Sequence, residues 1–175
     1  MKENWDLAYT KVIESEGGYK LIDIKGDLCG QTYAGIARNP NPNWEGWAVI
    51  DQGQMPPNSM VQDFYKKNFW DRVKGDDLPT GLDYLVYDFA VNAGTGTSAK
   101  LLQRAVGVVD DGAIGNGTLT AVKAHNPEDL IEEFSKQKEA FYQKIVEKRP
   151  EQSKFIKGWL NRVAHVKEVA ETMVA

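Results

Sequence analysis

Residues 16–36 decide how this chain folds: Glu16-Gly17-Gly18-Tyr19-Lys20-Leu21-Ile22-Asp23-Ile24-Lys25-Gly26-Asp27-Leu28-Cys29-Gly30-Gln31-Thr32-Tyr33-Ala34-Gly35-Ile36. Upstream, Trp5, Ala8, Val12 and Ile13 recur at the spacing of one helical face, and Glu16 continues that face. Gly17-Gly18 ends the helix, because glycine accepts a positive φ that other residues avoid. A carboxyl is thereby placed at a helix C-terminus, with a glycine-rich polar loop directly behind it. Periodicity fails from Tyr19 to Asn43. Gly26, Gly30, Gly35, Pro40 and Pro42 mark loops there, with a short hairpin expected around Thr32 to Ile36. So long an irregular stretch in a small protein is usually functional.

Further along, Asn58-Ser59 reads as the N-cap of a helix through Val61, Phe64, Tyr65, Asn68 and Phe69, broken at Leu78-Pro79. Leu82, Leu85, Val86, Phe89, Ala90 and Ala93 form a helix that Gly94 closes, and its partly all-round apolarity places it centrally. Thr97-Ser98 caps a short helix carrying Leu101, Leu102, Ala105 and Val106, stopped by Gly107. Asp110-Asp111-Gly112 is a turn, and Thr118 caps another short helix. Pro127 opens a longer helix with Leu130, Ile131, Phe134, Phe141, Ile145 and Val146, which Pro150 breaks. The last helix carries Phe155, Ile156, Trp159, Leu160, Val163, Val166, Ala170 and Met173. The chain reads as all-α with at most a small hairpin. No repeat, low-complexity tract or heptad run is visible. A boundary is expected near Gly94 to Thr97, without a flexible linker.

The 175 residues suffice for one domain or two small lobes sharing a core. With 42% apolar and 26% charged residues, the composition is that of an ordinary globular protein. The net charge of -4 argues against a nucleic-acid binder. Cys29 is alone, so no internal disulfide supports the fold. The start, Met1-Lys2-Glu3-Asn4-Trp5-Asp6, has no signal-peptide core, and no stretch is long and apolar enough for membrane insertion. Synthesis in the cytoplasm without a signal peptide is expected. If the substrate lies outside, a holin or other export system must carry the protein there.

A carboxyl at a helix C-terminus is suited to donating a proton. The helix end carries about half a negative charge, which disfavours ionising the acid, and partial burial adds to that. Breaking a glycosidic bond needs such an acid and a second group that supplies charge or positions water. Glu16 is the candidate acid, and Glu14 points elsewhere on the helix. Asp27 is the candidate second carboxyl, with Asp23 as the alternative, and Thr32 is the candidate holder of a water. Each also has a purely structural reading, as solvated glutamate, turn former and strand residue. Tyr19, Tyr33, Trp44 and Trp47 are candidate sugar platforms, whereas Trp70 and Trp159 suit a core. Trp44 and Trp47 flank a loop of Pro, Asn and Gly, which suits a cleft. His125, His165 and Cys29 lack metal-ligand spacing, and no phosphate loop, dinucleotide fingerprint or Gly-x-Ser-x-Gly appears, so no metal or cofactor is implied.

These residues together resemble glycoside hydrolase family 108, the phage and prophage N-acetylmuramidases formerly labelled secretion activator proteins. The resemblance runs through Glu16-Gly17-Gly18-Tyr19, Asp27 to Ile36, Phe69-Trp70-Asp71 with Asp76-x-Leu78-Pro79, and Asp88-Phe89-Ala90-Val91-Asn92-Ala93-Gly94. It continues through Leu102-Gln103, Asp111-Gly112-x-Ile114-Gly115 and Gly158-Trp159-Leu160-Asn161-Arg162. It implies a helical lysozyme-like fold with Glu16 as catalytic glutamate. It also implies an endolysin that acts on the cell wall after release or export, with peptidoglycan as its partner. Residues 1–95 would be the catalytic region and residues 96–175 a peptidoglycan-binding helical region, either an independent module or the second lobe of one compact domain. Asn92 is a candidate sugar contact on the same ground. Cys29 replaces a glycine of the family pattern, and the Tyr19 to Thr32 stretch is longer, which leaves the second carboxyl open between Asp27 and Asp23. Three activities stay open at this level: hydrolysis, lytic transglycosylation, and non-catalytic binding or assistance of secretion. Retention or inversion would follow from a carboxyl separation of about 5 Å or about 6.5–9.5 Å.

Overall fold

The computed structural model describes residues 2–174. Helix α1, Trp5–Ser15, follows a single 3-10 turn at Lys2–Asn4. It buries the face expected of it, with Trp5, Ala8, Tyr9, Val12 and Ile13 all inside. Its end is a Schellman-type cap: Gly18 N–H bonds the Ile13 carbonyl at 2.9 Å while Gly17 and Gly18 take φ of 90° and 77°.

The chain divides into two compact units, Asp6–Asn68 and Met1–Trp5 with Phe69–Ala175. The first contains most of α1, a small antiparallel sheet and two helices. Strands β1 (Leu21–Ile22), β2 (Thr32–Tyr33) and β3 (Ile36–Ala37) lie in the order β1-β2-β3. The expected hairpin is β2-β3, and β1 adds a strand to it, with Leu21 opposite Tyr33 and Ile22 opposite Thr32. The hairpin turns on Ala34 and Gly35, both with positive φ (49° and 80°), as a two-residue turn of the primed type demands. Helix α2 (Gly46–Asp51) was not expected, because six residues carry too little periodicity to read. Arg38, just after β3, forks onto Asp51 at its end (2.8 and 2.7 Å) and lies over the Trp47 ring at 5.2 Å. That pair holds the Asp51 carboxyl below its ordinary value. Helix α3 (Asn58–Tyr65) starts with Pro57 at the N-cap, so Asn58 is its first residue and not the expected cap. It widens into a π turn at Lys66–Trp70.

The second unit is a set of helices around α4, Leu82–Ala93, whose residues 82–90 are all buried. This central helix packs against α5 (Thr95–Val106), α7 (Pro127–Lys148) and α8 (Ile156–Val174). The short α6 (Asn116–Lys123) packs on α5. Helix α5 begins at Thr95, directly after Gly94, so Thr97 and Ser98 lie inside it and do not cap it. Ser98 instead donates to the Val86 carbonyl at 2.7 Å, tying α5 to α4 in the core. Asn126 caps α7 through the amides of Glu128 and Asp129 (2.8 and 3.4 Å). Trp5, Trp70 and Tyr87 meet with ring centroids 5.4–5.6 Å apart. Trp70 is fully buried, and its indole N–H is satisfied by Asp76 at 2.9 Å. Gly75 lies flat on the same ring, where a Cβ would come within 2.3 Å. The Phe69-Trp70-Asp71 and Asp76-x-Leu78-Pro79 segments thus build one buried anchor.

Gln103 explains another group of motif residues. Its amide nitrogen reaches Asp111 Oδ1 (2.8 Å), the Ala113 carbonyl (3.0 Å) and Thr118 Oγ1 (3.2 Å). Its amide oxygen accepts from Gly112 N–H (2.9 Å). The Ala113 amide and Gln103 together hold the Asp111 carboxyl below its ordinary value. Thr118 is therefore an interior residue of α6 that closes this clamp, not the helix cap. Removing the amide leaves buried polar groups without partners, at about 1–3 kcal/mol each. Gln103→Ala is expected to lower stability by about 2–3 kcal/mol, or roughly 5–10 °C in thermal midpoint, measured by circular dichroism.

Candidate active site

The Glu16 backbone N–H makes a helical bond to the Val12 carbonyl at 2.9 Å, and its side chain is half-buried. Glu14 is exposed, as expected for another side of the helix. The Glu16 carboxyl sits against the tip of the β2-β3 hairpin. A Cβ built on Gly35 would lie 3.0 Å from Glu16 Oε2 and 2.5 Å from the Tyr65 hydroxyl. Only a residue without a side chain lets the acid and the phenol close on the same point. Tyr65 is buried and donates to the Ala34 carbonyl at 2.7 Å. Burial first, and then the nearby Glu16 charge, push its hydroxyl well above the ordinary tyrosine value, so it stays protonated. Tyr65 and Gly35 were not singled out from the sequence. Tyr65 reads there only as one apolar position of a helix face, and no spacing pattern links position 65 to position 16.

The other expected residues divide. Asp27 is exposed, and its Oδ1 accepts from the Cys29 amide at 2.9 Å, so the carboxylate closes its own turn. Asp23 is exposed too, with Gln31 Nε2 at 3.5 Å from its Oδ2. Thr32 lies in β2, half-buried, opposite Ala37. Tyr19 stays exposed and shares a hydroxyl–hydroxyl bond of 2.9 Å with Tyr9. Burial and that bond push the Tyr9 hydroxyl up. Tyr33 and Trp47 are each 3% exposed, which corrects their expected role as open sugar platforms. Each turned inward because its strand or helix has only one apolar face to bury. Trp47 also spends its indole N–H on the Asn41 carbonyl (2.8 Å). Trp44 is only partly buried. It stacks on Tyr33 at 6.2 Å, meets Trp47 edge-on at 5.2 Å, and meets Phe64 at 6.1 Å. Phe64 in turn meets Tyr65 at 5.7 Å, so an unbroken run of rings links Trp44 to Tyr65. A cavity of about 510 Å³ opens beside Trp44, walled by the Pro40 to Glu45 loop and by residues of α3 and the π turn.

Asn92 belongs to the other unit. It is exposed, and its amide oxygen accepts from Arg162 Nε and Nη2 at 3.3 and 3.1 Å. Arg162 also donates to Asp88 at 3.1 Å, and Asp88 is fully buried. Lys138 completes this group from α7, 2% exposed, its ammonium 5.5 Å from the Phe89 ring centroid. Burial pushes Lys138 down to about 8, with Arg162 adding and Asp88 opposing.

A first helix that ends at Glu16, a small antiparallel sheet and a set of helices around α4 are the parts of a helical, lysozyme-like fold. The glycosyl hydrolase 108 family model matches residues 9–94, and a model described as a predicted peptidoglycan domain matches residues 97–164. The solved structure of Brucella abortus SagA is similar to this chain at 30% identity and a TM-score of 0.78, covering 99% of this chain and 97% of that one. No curated protein matches. The chain belongs to the glycosyl hydrolase 108 family and is a glycoside hydrolase that acts on peptidoglycan. Among the described residues no helix is long and apolar enough to cross a membrane.

Two outcomes follow from this geometry. Gly35→Ala adds a Cβ where Glu16 and Tyr65 meet and strains a φ of 80°. A displacement of about 1 Å in a reacting group costs about 10²-fold in rate, so the variant is expected to fold, lose about 1–2 kcal/mol of stability, and lose about 10²-fold in wall-lysis rate. Lys138→Met tests the buried cation. An ordinary lysine titrates at 10.5, so between pH 8 and 10.5 the unfolded chain holds a proton that the folded chain has released. The stability contributed by this group therefore rises across that window, and below it the full penalty persists. The variant is expected to be more stable than the parent at pH 7, by up to about 3 kcal/mol, and to lose that advantage from pH 8 to 10.5 in thermal melts.

Proposed function

We infer that the protein is an N-acetylmuramidase that cleaves the glycan backbone of peptidoglycan by general-acid catalysis from Glu16. The observation that carries this reading is the half-buried Glu16 carboxyl at the C-terminus of α1, boxed by Gly35 and the protonated Tyr65. The helix end and partial burial both favour the protonated acid, which the leaving sugar oxygen needs. Gly35 leaves space for that acid without pushing it off line. Asp27 supplies negative charge to the ring as it becomes cationic, and Thr32 holds the attacking water. Residues 1–95 carry the reaction, and residues 96–175 hold the glycan. With a net charge of -4 against an anionic wall, binding rests on local contacts and not on the overall field. The protein works on the wall after release or export, in the manner of an endolysin, carried there by a holin or other export system.

Glu16→Gln keeps the shape but cannot donate a proton of suitable acidity, and is expected to lose about 10²–10⁴-fold in lysis rate with an unchanged fold. Wild-type lysis from this variant would remove Glu16 from the reaction. Asp27→Asn is informative for a reason visible in its turn: the amide oxygen can still accept from Cys29 N–H, so only the charge goes. It is expected to lower turnover more than Asp23→Asn, and the reverse order would move the second carboxyl to Asp23. Mass spectrometry of released fragments checks the reaction type, with reducing-end sugars for hydrolysis and anhydro sugars for a transglycosylase.

A further inference from the structure

We propose that the cavity of about 510 Å³ beside Trp44 is a subsite for an uncharged N-acetylhexosamine, and that it discriminates against the carboxylate-bearing sugar of the same polymer. The choice of polymer rests on the muramidase reading above. The volume falls within the range of small-ligand sites. Trp44 is half-exposed yet held in place, with its six-membered ring lying on Gly46, where a Cβ would come within 2.3 Å. A fixed ring of this kind presents the apolar surface it still exposes to the C–H groups of a pyranose.

The polar lining has capacity to spare. Asn41 and Asn68 spend their amide N–H groups on the carbonyls of Ala37 and Phe64, both at 2.9 Å, which holds each amide in place. Their amide oxygens have no partner among the described residues. The same holds for the carboxylates of Glu45 and Asp63, the ammonium of Lys67 and the indole N–H of Trp44. Acceptors outnumber donors, which suits hydroxyl hydrogens, while Trp44 and Lys67 can serve an acetamido carbonyl.

Charge sets the discrimination. Two carboxylates against one ammonium leave the lining net negative. A carboxylate on the ligand some 6 Å away would lose about threefold in affinity even at the dielectric of water, and more in a partly enclosed site. The neutral N-acetylglucosamine unit escapes that cost, and the lactyl-bearing muramic unit does not.

The test uses the full chain carrying Glu16→Gln, so that no probe is cleaved. The monosaccharides N-acetylglucosamine and, separately, N-acetylmuramic acid are titrated while the five indole cross-peaks are followed by nuclear magnetic resonance. The Trp44 peak is assigned by its loss in Trp44→Phe. The expected result is a saturable shift of the Trp44 indole with N-acetylglucosamine, at least threefold weaker with N-acetylmuramic acid. Asp63→Ala, exposed on α3 and away from the core, is expected to weaken the Trp44 response about tenfold, the worth of one hydrogen bond to a charged group. An unmoved Trp44 indole, a response that Asp63→Ala leaves unchanged, or equal affinity for the two sugars would overturn the proposal. Because nothing is cleaved, a negative result here leaves the role of Glu16 standing, and wild-type lysis by Glu16→Gln would leave a positive result here standing.

Discussion

The Tyr65 hydroxyl donates to the Ala34 carbonyl across 2.7 Å, and the arrangement around Glu16 follows from that contact. It pins the hairpin tip to α3 at the point where α1 ends. Because the tip is a two-residue turn with positive φ at both positions, Gly35 meets the acid and the phenol with no side chain between them. The half-buried carboxyl and the buried, protonated phenol therefore lie side by side, an arrangement that comes from one hydrogen bond, one turn and one missing Cβ.

The unit built around α4 solves a different problem with the same means. Large or polar side chains are taken inside only where a specific partner meets them. Trp70 is fully buried because Asp76 receives its N–H and Gly75 makes room for its ring. Gln103 is buried because both ends of its amide are spent on the turn and helix beside it. Asp83 follows suit, with Gly81 and Tyr84 amides and the Asn4 side chain on its carboxylate. The buried Ser135 hydroxyl, which has no hydrogen-bond partner among the described residues, is one exception, and Lys138 is another. No ion pair among the described residues reaches its ammonium, and its lowered affinity for a proton records that cost.

The aromatic residues of the Asp6–Asn68 unit do two jobs along one connected path. At one end Tyr65 lies near Glu16 at the hairpin tip. At the other, Trp44 faces a polar cavity whose lining has acceptors to spare. Phe64 lies between them and meets both rings edge-on. With a net charge of -4 the protein has no long-range attraction to an anionic polymer, so binding such a polymer depends on local contacts.

Sequence by itself determined the longer helices and the place of the Glu16 carboxyl at the end of the first. The 3.6-residue recurrence of Trp5, Ala8, Val12 and Ile13, the double glycine after Glu16, and the apolar run of residues 82–90 are local signals, and local backbone energetics settles them. The ordered set of short motifs was enough for the family, because its spacing reflects contacts such as Trp70 with Asp76 and Gln103 with Asp111. Tertiary structure alone decided the rest. Helix α2 is too short to show a period, β1 is two residues stabilised only by its neighbour, and Thr118 was spoken for by a clamp formed across a turn. Whether an aromatic faces water or core depends on what packs against its element, which separated Trp44 from Trp47 and Tyr33 despite their similar surroundings in sequence. The meeting of Glu16, Gly35 and Tyr65 joins residues far apart along the chain, and such proximity is a product of packing that no local pattern encodes.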